Sequence, residues 1–331
     1  MSKSVNKEYL INLATSILRQ NSLSERELNI VISHLLEEEL MGKSSHGFYR
    51  LSGIVNKIMS ETVSGDIQIS DENLFSALVD GANHLGLVVA QDACEKAISI
   101  ANNNGIAIVA AKNYVGTTGA MGYFTRQIAK HNLIGICFCN SEYAVAPWGG
   151  RDPILGTNPL SISIPCSTNP IIIDFSTAAR TYGELMLAAK EGRIIPEGIV
   201  LDAEGKPSTN PNDANDGCQL PMAEHKGYGL GLAIEILSGT FIGCKVGKDA
   251  VSGSDGLLFI VIKPNLFVPI EQFMNNTDLL IKEIKNSALA YGFDEIRIPG
   301  QSSLLNYEIN VNKDDIDLNE TVINDIVALL K

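Results

Sequence analysis

The sequence predicts a mixed α/β protein, and three observations carry that prediction. Stretches with apolar residues at helical spacing interleave with short apolar runs that alternate or continue unbroken, from about residue 85 onward. Capping residues and glycines punctuate those stretches where helices should begin and end. With 331 residues, 45% of them hydrophobic, the chain can bury a large core as one large or two ordinary domains. Helices and strands mixed throughout point to a mixed sheet with helices packed against it, α/β or α+β.

The elements follow in order. Leu10, Ile11, Leu13, Ala14, Ile17 and Leu18 recur at helical spacing and predict a first amphipathic helix. Ser24 and Glu27 form a capping box, with Leu23 and Leu28 as a hydrophobic staple, at the start of a second helix. That helix should run to Gly42, a natural residue just past a helix end. A helix ending at Gly105, a buried strand "IAIVAA" and a glycine-rich turn "NYVGTTGAMGYF" come next. A helix to about His131 then leads into the strand "LIGICFC". "LSISIP" and "PIIIDFS" read as two short strands, and a helix is expected around 180–191. Residues 192–221 are dense in Gly, Pro, Asp and Asn and read as a long surface connection. "KGYGLGLAIEILSGTFIG" predicts a glycine-laced apolar helix, "LLFIVIK" a strand, 271–290 a helix and 314–331 a last helix.

Composition excludes several classes of function. Lys and Arg number 25 against 38 Asp and Glu, a net charge of −13. With no basic run, such a surface repels phosphate backbones and anionic lipid, so neither nucleic acid nor membrane is expected as a partner. The N-terminal stretch is interrupted by Asn6, Lys7, Glu8 and Asn12 and is not expected to be a signal peptide, and no stretch is apolar enough to span a bilayer. The six cysteines are scattered rather than framed as disulfides. Cys137 and Cys139, two apart in an apolar run, read as buried strand residues, and no metal site is expected. The expectation is a cytoplasmic globular protein.

Candidate chemistry begins in "KSSHGFYRL", Lys43–Leu51, just beyond the second helix. His46 can exchange a proton near neutral pH, and Arg50 can hold a carboxylate through two parallel hydrogen bonds. The alternative for Arg50 is an ion pair with the acidic run Glu37, Glu38 and Glu39. "GTTGAMG" has the spacing GxxGxxG and no acid ending the next strand, so it is not a Rossmann fingerprint; "GCKVGK" is one residue short of a phosphate-binding loop. Asn140 opens a long loop rich in exposed backbone donors. Asp174, Ser176 and Thr177 sit where a strand leads into a helix, as an anion site or as a plain N-cap. His225 and Lys226 begin the glycine-laced helix, where Lys226 either faces a phosphate or is simply solvated.

Taken in order, "SSHGFYRL", "NSEYAVAPWGGRDPILGTNPLSISIP", "IIIDFSTAARTYG", "IPEGIVLDAEGKPSTNP", "LPMAEHKGYGL" and "IRIPGQ" resemble successive signatures of the malate/L-lactate dehydrogenase family of the second, non-Rossmann type. Among its members, the chain is similar to 2,3-diketo-L-gulonate reductases and ureidoglycolate dehydrogenases. The resemblance implies a dinucleotide-binding mixed sheet at 76–299 and an N-terminal helical region, 1–75, that packs with 300–331. It implies NAD(P)H-dependent interconversion of 2-oxo and 2-hydroxy acids in a homodimer, on a small carboxylate-bearing substrate. His46 would then be the proton donor and acceptor, with Ser45 beside it, and Arg50 the carboxylate grip. Asn140, Asn158, Asp174, Phe175, Ser176, Thr177, His225, Lys226, Gly300 and Gln301 match positions that line the cleft or contact NAD or NADP. Two departures stand out. Tyr114 occupies a position where many relatives carry a second histidine, which makes it a candidate catalytic residue of altered chemistry. Glu184 follows "TYG" where many relatives have lysine. An imine (C=N) reductase and a non-catalytic dinucleotide-binding relative are the alternatives.

Overall fold

In the computed structural model, which describes residues 2–21, 23–60, 63, 65–251 and 253–330, the chain is a mixed α/β protein. It opens with β1 (Ser2–Asn6), α1 (Lys7–Gln20), α2 (Glu25–Leu40) and α3 (Leu51–Ser60). Then come β2 (Gln68–Asp71), β3 (Ser76–Leu85), α4 (Gly86–Asn104), β4 (Ile106–Val115), α5 (Met121–Lys130) and β5 (Ile134–Cys139). The middle holds β6 (Leu160–Ile164), β7 (Ile171–Phe175), α6 (Tyr182–Lys190), β8 (Val200–Leu201), β9 (Pro207–Ser208), α7 (Asp213–Asp216) and β10 (Cys218–Gln219). The chain closes with α8 (His225–Ser238), β11 (Leu257–Ile262), α9 (Ile270–Lys285), α10 (Gln301–Val311), β12 (Asp315–Asn319) and α11 (Glu320–Ala328).

The main sheet has seven strands among the described residues, in the order β2-β3-β4-β11-β5-β6-β7. Only β3 and β4 pair in parallel there, through the crossover helix α4; every other neighbouring pair is antiparallel. A doubly wound dinucleotide fold needs parallel strands whose order reverses at a switch point, and this sheet has no such place. The missing GxGxxG therefore follows from topology.

One face of the sheet, carrying Val79, Ala107, Val109, Cys137, Phe259 and Val261, is buried in a core that also takes in Leu10, Leu35, Leu51 and Leu318. That core is continuous from the N-terminal helices through the sheet to the C-terminal elements. α10 packs on α2, α11 on α3, and β12 pairs antiparallel with β1. The other face, with Phe138 and Leu258, lies under Ile234 of α8. Alternation along each strand divides the two faces.

Local signals were reliable. The Ser24–Glu27 capping box is formed, and Leu28 is buried with Leu23 packed against the same core. Other expectations need correction. The last helix was expected over 314–331, but Ile316 and Leu318 alternate inward on β12, so a strand takes the first third of that stretch. The connection at 192–221 carries β8, β9 and β10 in a small antiparallel sheet with α7. The helix expected at 271–290 ends at Lys285. Met1, Ser22, Glu61, Thr62, Ser64 and Lys331, which fall in the expected terminal regions, and Ser252 in the expected sheet domain, lie outside the described residues.

Candidate active site

The loop that carries His46 and Arg50 is built from a helix end. α2 stops with Gly42 at φ +77°, with Gly42 N–H on the Glu39 carbonyl and Lys43 N–H on that of Glu38. These two bonds satisfy helix carbonyls and turn the chain sharply. The loop then closes on itself: His46 N–H donates to Lys43 O, Gly47 N–H to Ser44 O and Arg50 N–H to Gly47 O. Glu39, in the last turn of α2, reaches back to hold it. One of its oxygens accepts the Ser44 hydroxyl and the other accepts Phe48 N–H at 3.0 Å. Burial pushes the Glu39 carboxyl up, and those two hydrogen bonds pull it back.

The acidic run does not claim Arg50. Glu37 and Glu38 both pair with Arg126, and Glu39 serves the loop. Arg50 donates from Nε to the Ser45 carbonyl at 2.8 Å, and its terminal nitrogens have no partner among the described residues. They remain able to fork onto a carboxylate. His46 is half-buried, with Nδ1 3.2 Å from Ser45 Oγ, and Nε2 has no partner among the described residues. Burial first, and then the Arg50 charge, hold the imidazole below its ordinary pKa, so it is neutral near pH 7. Gly183, at the start of α6, abuts this pair: a Cβ there would sit 3.3 Å from Ser45 Cβ and 3.6 Å from Arg50 Nη2.

Arg50 opens into a cleft of about 440 Å³, walled by Thr117, Asn140, Ser141, Thr157 and Asp255 among others. Gly116 and Gly119, both at positive φ, bring bare backbone to that wall. Their turn rests on His34, whose Nε2 accepts Ala120 N–H at 2.9 Å and would lie 2.3 Å from a Cβ on Gly119. Ser141 Oγ accepts Thr157 N–H at 3.1 Å and so joins the two loops of the wall.

The other residues singled out from the sequence fall into three groups. Asn140 is buried and acts as a clasp, donating to Lys245 O and accepting Gly256 N–H. Asn158, at φ +37°, donates to Gly231 O and Glu235, leaving Oδ1 buried without a partner. The second group lies on and after β7. Asp174 pairs with Lys43 at 2.6 Å, so it ties β7 to the His46 loop, and Phe175 follows it, half-buried. Ser176 and Thr177 both donate to the Thr157 carbonyl. Gly300 caps α10 at φ +86° against Ile172, and the Gln301 side chain accepts Ile298 N–H. In the third group, His225 and Lys226 stand exposed at the start of α8. The preceding Met222 N–H donates to Thr177 O, which places this start beside the second group.

Tyr114 does not face the cleft. It is fully buried, donates its hydroxyl to Asp255 Oδ2 at 2.9 Å, and is held well above the usual phenol pKa by burial and by that acid. Asp255 is the member of the pair that reaches the wall. Glu184 forms a capping box with Thr181 at the start of α6, a local role for the acid in that position. Sequence reasoning missed Glu39 and Asp255. An acid at the end of α2 and one in a glycine–serine turn before a strand are common surface residues, and nothing local separates these from such residues.

An antiparallel-centred sheet, a loop carrying a neutral histidine and an arginine with no ion pair among the described residues, and a polar cleft that the arginine enters suit an oxidoreductase outside the doubly wound folds. Comparison with known proteins agrees. Residues 5–327 match the family model of malate/L-lactate dehydrogenase. The malate/(S)-sulfolactate dehydrogenase of Methanothermus fervidus is 37% identical over 94% of this chain and 93% of its own. The NAD(+) ureidoglycolate dehydrogenase of Escherichia coli is 31% identical over 90% of this chain and 87% of its own. Among solved structures, the sulfolactate dehydrogenase of Methanocaldococcus jannaschii superposes with a TM-score of 0.90 at 34% identity, covering 99% of this chain and 96% of that one. The delta1-piperideine-2-carboxylate reductase of Pseudomonas syringae does so with a TM-score of 0.87 at 25% identity, covering 99% of each. The chain belongs to the malate/L-lactate dehydrogenase family. It is an oxidoreductase that works with NAD or NADP.

Proposed function

We propose that this chain interconverts a 2-oxo acid and its 2-hydroxy acid, with His46 as proton donor and acceptor and Arg50 as the grip on the substrate carboxylate. One observation carries the reading: a single loop pinned by Glu39 carries an imidazole whose Nε2 has no partner among the described residues and, four residues on, a guanidinium that lines a cleft with no ion pair among them. Arg50 orients the substrate by a bidentate contact, and His46 serves the oxygen on the adjacent carbon. Ser45 Oγ, on Nδ1, fixes the ring so that Nε2 does the exchange.

The cleft suits a dinucleotide's reactive end. The Ser141 and Thr157 hydroxyls and the bare backbone at Gly116 and Gly119 offer donors and acceptors without bulk. Exposed Lys226 supplies positive charge for phosphate, with His225 beside it able to offer a ring N–H. When bound, NADH or NADPH supplies the hydride. Residues 1–75 with 300–331 form the lobe bearing the proton-transfer loop, and 76–299 the lobe bearing the cofactor wall.

The working form is a homodimer. In the single chain, α9 and α10 bury none of their residues, and Leu279, Phe267, Tyr291 and Phe293 are 64%, 92%, 104% and 66% exposed. An apolar surface of that kind is read as one covered by a second copy. The compartment is the cytoplasm, which suits six cysteines all present as free thiols.

A second reading is reduction of a cyclic or linear imino acid. It draws on the likeness to the piperideine-carboxylate reductase and on the neutral state of His46, since a protonated C=N bond brings its own proton. The test is absorbance at 340 nm with NADH and NADPH over a panel of 2-oxo acids and cyclic imino acids. Turnover of an oxo acid supports the first reading, and turnover confined to imines the second. His46→Ala should stay folded and lose about 10²–10⁴-fold in turnover; full activity in that variant overturns the assignment.

A further inference from the structure

The cleft that Arg50 enters contains an acid that the proposed reaction does not use. Asp255 lies on its wall with both carboxyl oxygens fixed: Oδ2 accepts the hydroxyl of buried Tyr114 at 2.9 Å and Oδ1 accepts Gly253 N–H at 3.2 Å. Each oxygen keeps a lone pair free, so the group can still accept from a ligand. The Tyr114 hydroxyl has no other hydrogen-bond partner among the described residues, so it is committed to aiming this carboxyl. Glu142, exposed, lines the same cleft.

From this we infer that Asp255 reads the substrate's tail and selects 2-oxo or 2-hydroxy acids whose far end donates hydrogen bonds, such as an amide, ureido, hydroxyl or ammonium group, over those ending in a second carboxylate or a sulfonate. The inference rests on the reading of Arg50 as the grip on the substrate carboxylate. A donor tail gains from this group because the acceptor is already held in place by Tyr114 and Gly253 and each oxygen keeps a lone pair open, so the new hydrogen bond needs no reordering of the carboxyl. When ionised, the same group also repels a second anion, against the pull of Lys57 on the same wall, so attraction to the donor tail carries the larger share of the discrimination. Burial pushes the Asp255 carboxyl up, while the Tyr114 and Gly253 hydrogen bonds pull it back. In either protonation state it retains an acceptor oxygen for a donor tail.

The experiment compares two acids of one shape, 2-oxosuccinamate and oxaloacetate, which differ in an amide against a carboxylate. Wild-type kcat/KM should favour the amide by about tenfold or more, and Asp255→Asn should bring the two within about threefold while leaving KM for the dinucleotide unchanged. Asn keeps an acceptor and a donor for the Gly253 and Tyr114 contacts, and exposed Glu142→Gln should shift the ratio the same way by less. A wild-type preference for oxaloacetate, an unmoved ratio in Asp255→Asn, or a rise in dinucleotide KM in its place overturns the inference. Calorimetry of malamate against malate on the NAD-loaded enzyme reads the same preference without turnover. Reduction of pyruvate reports on the reaction separately. Pyruvate reduced with malate bound as tightly as malamate sinks the tail assignment and leaves the reaction standing. No oxo acid reduced, but malamate preferred and that preference lost in Asp255→Asn, has the opposite meaning. Failure to bind either overturns the inference.

Discussion

A Cβ on Gly47 would lie 2.1 Å from Oε2 of Glu39, the same oxygen that accepts the Phe48 N–H. The loop bearing His46 therefore lies directly against the helix that precedes it, with a carboxylate in the position a side chain would need. Glu39 is a positioning residue: it touches no part of the cleft that Arg50 enters, yet it sets where that loop sits.

Gly47→Ala should accordingly do two things at once. Overpacking against a buried side chain costs about 1–3 kcal/mol, so Tm should fall. Glu39 must also swing away from Phe48 N–H, which moves His46 and Arg50 together, and a displacement of that kind costs about 10²-fold in rate. Paired measurement of Tm and kcat/KM checks both; an alanine variant with wild-type turnover would show that the loop does not need this seat.

The Lys43–Asp174 pair ties the same loop to the sheet, as Glu39 ties it to α2. Its side chains are 28% and 16% exposed, between the surface pairs worth little and the buried pairs whose breaking costs several kcal/mol. Asp174→Asn and Lys43→Met should each destabilise by about 1–2 kcal/mol. The double variant should lose less than the sum, since the two changes remove one interaction. Urea unfolding of the four proteins measures the coupling, and strict additivity would mean that the contact is energetically idle.

How much of this was legible depends on how local each signal is. Ser24, Glu27 and Gly42 announce α2 because capping is decided within four or five residues. The His46 loop could be placed for the same reason. Ile316 and Leu318 do alternate, but the strand is five residues long and runs straight into α11, whose helical spacing masked it. α10 shows only a narrow apolar stripe, Leu304, Tyr307 and Val311, among polar neighbours, and these residues are no more than half-buried where the helix packs on α2. Glu39 could not be told from Glu37 and Glu38, since the difference lies in their partners: Arg126 for two of them, the loop for the third. Asp255 was invisible because its meaning comes from Tyr114, 141 residues earlier. The residues proposed for chemistry could be found where a motif held them together, and not where tertiary packing did.

The pH profile provides the remaining prediction. Burial and then the Arg50 charge depress the His46 pKa below 6.5, and Glu38 and Asp174 only partly oppose them. The sign follows from the state each direction needs. Oxidation of a hydroxy acid requires the neutral ring as base, so its kcat/KM should rise with pH through a midpoint below 6.5 and be level at neutral pH. Reduction of an oxo acid requires the imidazolium as donor, so its kcat/KM should fall over that same interval as pH rises. The two limbs should share one midpoint, because kcat/KM reports the free enzyme in both directions. Stability moves with them: a histidine held neutral in the fold binds fewer protons than the unfolded chain, so stability is lost as pH falls below 6.5 and through the depressed value. His46→Gln should erase the limb from any residual rate. A limb that survives in that variant would assign the proton to another group.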